Sequence, residues 1–195
     1  MSSPAAIGFR AHSGWAAAVA VVHAADEAPS VIARRRIDLL EHGRTAQPYH
    51  AAARLNIHEA EELVRNCATR AATLASIGLR GIIDDLRQLG HSAAGCALLL
   101  ASGRPLPELA KILASHALIH TAEGELFRDG LRAATRECGL RLIEIKERDL
   151  LTRAGADLHL SVARIEKELA AMGKAIGPPW RQDEKLAALV AWLAL

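Results

Sequence analysis

The densest group of chemistry-bearing side chains in this sequence is His116, His120 and Glu123. Spacings of four and three place all three on one face of a continuous helix. Two imidazoles one turn apart suit Zn²⁺ or another transition metal. The group lacks a Glu directly after its first His, the general base of the H-E-x-x-H metalloproteases. Thr121 is also placed to cap a new helix segment between His120 and Glu123. A plainer role fits the same residues: two imidazoles cover a helix–sheet edge, and Glu123 sits in a first turn where a carboxylate complements the helix dipole.

A second group surrounds the bend His12-Ser13-Gly14, with Arg10 just before it and Trp15 just after. Ser beside His suggests a nucleophile and its base, but neighbouring strand residues point to opposite faces. Ser13 and Gly14 are therefore expected to make the turn, and Trp15 to anchor the core. The basic run Arg34-Arg35-Arg36, with Arg10 and Arg44, is the main positive concentration near this hairpin. Alternation along a strand puts Arg34 and Arg36 on one face, where guanidinium groups can hold phosphate or carboxylate. A charged, solvated strand face accounts for the run equally simply. No Walker loop, G-x-G-x-x-G or G-x-S-x-G occurs, which argues against nucleoside-triphosphatase, dinucleotide-binding and α/β-hydrolase chemistry.

The elements that must position these residues follow from hydrophobic periodicity. Ile7 to Val22 reads as strand, bend, strand, and Ser30–Leu40 as a third antiparallel strand, after the polar connector 24–29. The segment from His42 to Pro48 reads as a loop. Asn56 and Glu59 form an N-cap pair for a long helix, with Leu63, Cys67, Ala71, Leu74, Gly78, Ile82, Leu86 and Leu89 as its apolar stripe. Gly78 and Gly81 mark a kink or a close crossing, and Gly90 a C-terminal stop. Ala93–Ala101 is an unbroken apolar run, as in a strand covered on both faces. After the loop 102–107, a helix starting near Pro107 is expected to pause at His120-Thr121 and to close at Gly139. Leu142, Ile143 and Ile145 form a fifth strand. Asp157 is placed to cap a helix ended by Gly173, and the Gly177-Pro178-Pro179 break precedes a last helix.

At 195 residues the chain is expected to form one domain, with a core over 6–172 and an appended C-terminal helix over 180–195. Half the residues are hydrophobic but only 3% are aromatic. The core must come from Ala, Leu, Ile and Val, and a stacking platform for single-stranded nucleic acid is disfavoured. A net charge of +2 does not demand a polyanionic partner. Cys67, Cys96 and Cys138 lack C-x-x-C spacing, so neither a disulfide framework nor a thiolate zinc site is expected. The longest apolar runs fall short of the ~20 residues of a membrane span. With no leader pattern at the start, a cytoplasmic, soluble protein without membrane partners is expected.

Three strands, helix, strand, helix, strand, helix: this order resembles the ribonuclease H-like superfamily, which includes Holliday-junction resolvases, transposases and the actin-like ATPase halves. The resemblance covers residues 6 to 172 and rests on topology. It implies an α/β fold with a mixed five-stranded sheet. For nuclease members it implies carboxylates on the first strand, the fourth strand and the last helix, holding two Mg²⁺ ions. The first strand here offers Phe9, Arg10 and His12, the fourth contains no acid, and Asp157 is the late-helix candidate. The actin-like branch binds phosphate through an Asp-containing, Gly-rich first turn, whereas His12-Ser13-Gly14 supplies one Gly.

Two functional expectations follow. One is a binding or scaffolding protein without phosphoryl-transfer chemistry. Its polar lip of His12, Ser13, Arg34, Arg36 and the helix start at Thr121 would take an anionic small molecule or a nucleic-acid backbone. The other is a transition-metal-dependent hydrolase centred on His116, His120 and Glu123, with His12 or Asp157 as a further ligand or base. The bend brings His12 toward the two later histidines if the topology gathers its site there. The apolar terminus Leu189–Leu195 has two destinations, the body of the molecule or a second subunit in a homodimer.

Overall fold

The hairpin that opens the chain consists of β1 (Ser3–His12) and β2 (Trp15–Val22), with His12 paired opposite Trp15. Gly14 turns it at φ +85°, a backbone region that disfavours any residue with a Cβ. β3 (Ser30–Asp38) pairs antiparallel with β2, slipping register between Ala20 and Val21. β4 (His91–Leu100) lies parallel to β1, and β5 (Leu142–Lys146) parallel to β4. The sheet order is β3-β2-β1-β4-β5, the mixed five-stranded α/β arrangement expected from the element order. The computed structural model describes residues 3–23, 28–41, 43, 45–101 and 105–195. Arg44, most of the connector 24–29 and parts of the loops 42–48 and 102–107 lie outside the described residues.

The helices are α1 (Pro48–Ala52), α2 (Ile57–Gln88), α3 (Leu109–Leu113), α4 (His116–Glu137), α5 (Leu150–Leu158), α6 (Val162–Ile176) and α7 (Gln182–Trp192). Asn56 caps α2, its Oδ1 accepting the Glu59 N–H at 3.0 Å. α2 runs unbroken through Gly78, which serves a close crossing: a Cβ there would come within 2.6 Å of Ile37 on β3. Strand alternation divides the core. Ile7, Phe9, Ala16, Ala18 and Leu98 face α2 and α4, meeting Leu79, Ile82, Phe127 and Leu131. Ala6, Val19, Val21, Ala97 and Leu99 face the other layer, meeting Leu150, Ile165 and the buried run Leu186–Trp192. Side chains the size of Phe9 or Ile7, wholly removed from water, each contribute roughly 1.5–3 kcal/mol.

Three local expectations change. The pause before α4 falls at Ala114-Ser115, not at His120-Thr121. Thr121 lies inside the helix, its hydroxyl donating to the Ala117 carbonyl, so it caps no helix start. Asp157 belongs to the end of α5 and accepts from Arg153 Nε at 2.5 Å. The chain then breaks at His159, in the left-handed region (φ 54°), and Ser161 caps α6 instead. α6 also continues past Gly173 to Ile176. Gly173 is kept small by Trp180, whose ring would lie 2.1 Å from an added Cβ.

Of the two destinations for the apolar terminus, the body is the one taken. α7 crosses β1 at Gly8, where a Cβ would sit 1.9 Å from the Ala187 carbonyl oxygen. Its apolar side chains, Leu186 to Trp192, are buried inside the chain. Among the described residues, no helix is long and apolar enough to cross a membrane.

Candidate functional site at the carboxyl end of the first strand

β1, β4 and β5 are parallel, so their carboxyl ends share one edge of the sheet, and α7 begins there. Ala6 and Gly8 face α7, and the same alternation carries Arg10 and His12 onto that face beyond the apolar core. Arg10 meets two carboxylates remote in sequence. It donates to Glu147, just past β5, in a two-pronged pair: Nε to Oε2 at 3.1 Å and Nη2 to Oε1 at 3.0 Å. Its Nη1 also donates to Asp183, in the first turn of α7. His12 Nε2 lies 2.9 Å from the same Asp183 oxygen and donates to it.

Fork-shaped, charge-assisted pairs of this kind are among the stronger polar contacts, and this one is only partly exposed. Burial opposes the Arg10 charge, but its bonds to Glu147 and Asp183 outweigh that and raise its pKa. Burial likewise pushes the Asp183 carboxyl upward, yet hydrogen bonds from His12 and Arg10 win and hold it below its ordinary value. The network ties β1 to the segment after β5 and to the first turn of α7.

The lip expected from sequence is only partly assembled. His12 stacks on Trp15 with ring centroids 4.4 Å apart, and the Arg36 guanidinium lies 4.2 Å from the Trp15 ring centroid. β1 and β3 thus grip Trp15 from either side of β2. Ser13 is exposed at the turn, as its turn role requires. Arg36 also pairs with Asp38 at 2.8 Å but stays largely exposed. The Arg34 guanidinium is engaged within the chain. It donates to the carbonyls of Gly177 (2.9 Å), Pro178 (3.0 Å) and Pro179, tying β3 to the α6–α7 link. Thr121 sits in α4, on the opposite face of the sheet from α7, and forms no part of this lip.

His116 and His120 do share one continuous helix face, but His12 does not approach them, because α4 and α7 cover opposite faces of the sheet. Instead the structure brings His50 of α1 to them. Glu123 is turned inward: its Oε1 accepts from the His50 backbone N–H at 3.2 Å and from His50 Nδ1 at 2.9 Å. His50 gave no periodic signal in the sequence, since it stands in a five-residue helix after a loop. Arg10, Glu147 and Asp183 were equally hidden as a group. Asp183 had one local mark, the acidic first turn Asp183-Glu184 of the last helix.

An antiparallel β1–β2–β3 half, a parallel β1–β4–β5 half and helices on both faces define the ribonuclease H-like fold. No protein-family model and no curated protein matches the chain. Among solved structures it is similar to RuvC of Thermus thermophilus, with a TM-score of 0.57 at 10% identity over 97% of this chain and 92% of that one. The T. thermophilus RuvC complex with a Holliday junction substrate matches with a TM-score of 0.55 at 10% identity, over 97% and 90% of the two chains. At this identity the likeness is one of fold.

The two-Mg²⁺ centre that the fold implies for nucleases does not fit these residues. The first strand contributes Arg10 and His12 to this edge, and the fourth strand contributes no acid. Of the acids beside Arg10, Glu147 and Asp183 are both bonded to its guanidinium. Asp157 is engaged by Arg153 instead. Two divalent ions need several shared carboxylate oxygens, not a resident cation already bonded to them.

Proposed function

We propose that this protein binds nucleic acid through the carboxyl edge of its sheet and does not cut the phosphodiester backbone by two-metal chemistry. The observation that carries the reading is the Arg10 guanidinium joined to both Glu147 and Asp183. It occupies both carboxylates at the edge where the resemblance puts catalytic metals, which supports the non-cutting half. The nucleic-acid half draws support from the fold, which one solved neighbour uses while holding a Holliday junction. Exposed cations beside the network add to it: Arg36 on β3 and Arg148 next to Glu147. Such groups neutralise phosphates with little regard to sequence, and their contribution falls steeply with salt.

The test is fluorescence anisotropy with labelled four-way-junction and duplex DNA at low and at physiological salt. A parallel cleavage assay contains Mg²⁺ or Mn²⁺. Salt-sensitive binding with intact DNA is expected. Absence of binding at low salt would remove the nucleic-acid reading, leaving an anionic small molecule as the ligand class. Cleavage lost on Asp183→Asn would overturn the non-cutting half.

A further inference from the structure

On the α2–α4 side of the sheet, His50, His116 and His120 each place one ring nitrogen within 4.8 Å of the others. The rings meet edge-on, with centroids 5.4 Å apart for His50–His116, 4.8 Å for His50–His120 and 4.4 Å for His116–His120. Two come from successive turns of α4 and the third from a separate helix, so only the tertiary fold assembles them. A cluster that served packing alone would bury its rings, yet His116 and His120 are exposed.

The buried part of the group is its support. Glu123, 3% exposed, accepts from both the backbone and the Nδ1–H of His50. With its proton on Nδ1, His50 keeps the Nε2 lone pair for a ligand. A carboxylate behind a histidine is a recurring way of orienting a metal-bound imidazole.

We infer that His50, His116 and His120 form a binding site for a transition-metal ion of the Zn²⁺ class, with Glu123 as the positioning residue of His50. Three imidazoles suit Zn²⁺, Co²⁺ or Ni²⁺ and are a poor donor set for Mg²⁺ or Ca²⁺, which take oxygen. A Zn–N bond of about 2.1 Å requires the three nitrogens to close in slightly, a rotamer adjustment that exposed side chains make readily. Glu123 is thereby moved from the ligand role its spacing suggested to the support of a ligand that spacing did not reveal. The fourth tetrahedral position faces solvent and is left for water or an anion.

The experiment is a Co²⁺ titration of the untagged full chain followed by visible absorption, then displacement by Zn²⁺. It contains no nucleic acid, so its outcome is separate from that of the Arg10 edge. One Co²⁺ per chain with ligand-field bands in the visible is expected, erased by Zn²⁺. The double variant His116→Ala/His120→Ala should lose the bands, and His50→Ala should bind at least tenfold more weakly. His58→Ala, an exposed histidine on α2, should bind as the parent does. Because His116 and His120 are exposed, the metal-free double variant should melt as the parent does, which separates lost ligands from lost folding. No bands at micromolar Co²⁺, or bands that survive in the double variant, would overturn the site.

Discussion

Glu123 accepts two hydrogen bonds from a single residue, His50: the backbone N–H at 3.2 Å and Nδ1 at 2.9 Å. A buried carboxylate on α4 thus fixes both the path of α1 and the rotation of one imidazole. Glu123→Gln keeps the volume and one acceptor oxygen but loses the charge that favours the Nδ1–H tautomer. Co²⁺ affinity should fall about 10- to 100-fold, the usual cost of losing such a partner behind a metal ligand. Titrating parent and variant side by side decides it, and equal affinities would break the link between Glu123 and the metal site.

Asp183 gives a pH prediction whose sign follows from its environment. Hydrogen bonds from His12 and Arg10 overcome burial and lower its folded pKa below the unfolded value of about 3.9. As pH falls through that range the unfolded chain takes up the proton first, so the stabilisation present above about pH 5 is lost on acidification. The stability gap between parent and Asp183→Asn should shrink as pH falls below about 4. Urea titrations at a series of pH values measure it, and a gap that widens in acid would contradict the assignment.

Gly8→Ala tests the seating of α7. The new Cβ would fall 1.9 Å from the Ala187 carbonyl oxygen and 2.8 Å from the Ala191 nitrogen, backbone atoms that cannot rotate aside. The helix must lift from β1, and a loss of about 3 kcal/mol or more is expected. Thermal or urea denaturation reads it. A change below about 0.5 kcal/mol would mean that α7 does not ride on β1 in solution.

The arginines of β3 should separate by role. Arg34→Ala removes the donor to three carbonyls of the α6–α7 link, so it should lower the melting temperature and leave DNA affinity unchanged. Arg148→Ala should hardly affect stability, because its ion pair is exposed. Arg36→Ala should cost no more than about 1 kcal/mol for its exposed pair and its contact with the Trp15 ring. If each meets a phosphate, each loss should weaken DNA binding and reduce the salt slope by about 1. Anisotropy across a salt series separates the cases. Weaker DNA binding in Arg34→Ala with no loss of stability would reverse the assignment.

Cys96 reports on β4. Burial pushes its thiol pKa up to about 12, so it should resist alkylation in the folded chain at neutral pH. Mass spectrometry after a short maleimide pulse should find it unmodified until denaturant is added. Rapid labelling under native conditions would show that β4 opens.

What the sequence determined by itself was the kind and order of elements. Alternation in β1 and β2, the three-and-four spacing in α2 and the punctuation at Asn56, Gly90 and Gly139 are local signals, set by neighbours a few residues away. Local too was the sharing of one helix face by His116, His120 and Glu123. Local reasoning misplaced the start of α4 and the cap of α6. Thr121 and Asp157 have capping chemistry, but each instead met a partner four residues back on its own helix, the Ala117 carbonyl and Arg153. Only the tertiary structure decided which side chains share a site. Arg10 meets Glu147 and Asp183 across 137 and 173 residues, and His50 meets Glu123 across 73. Those meetings depend on which helix covers which face of the sheet. Packing sets that arrangement, through contacts such as Gly8 beneath α7 and Gly78 against Ile37, and no periodicity along the chain encodes it.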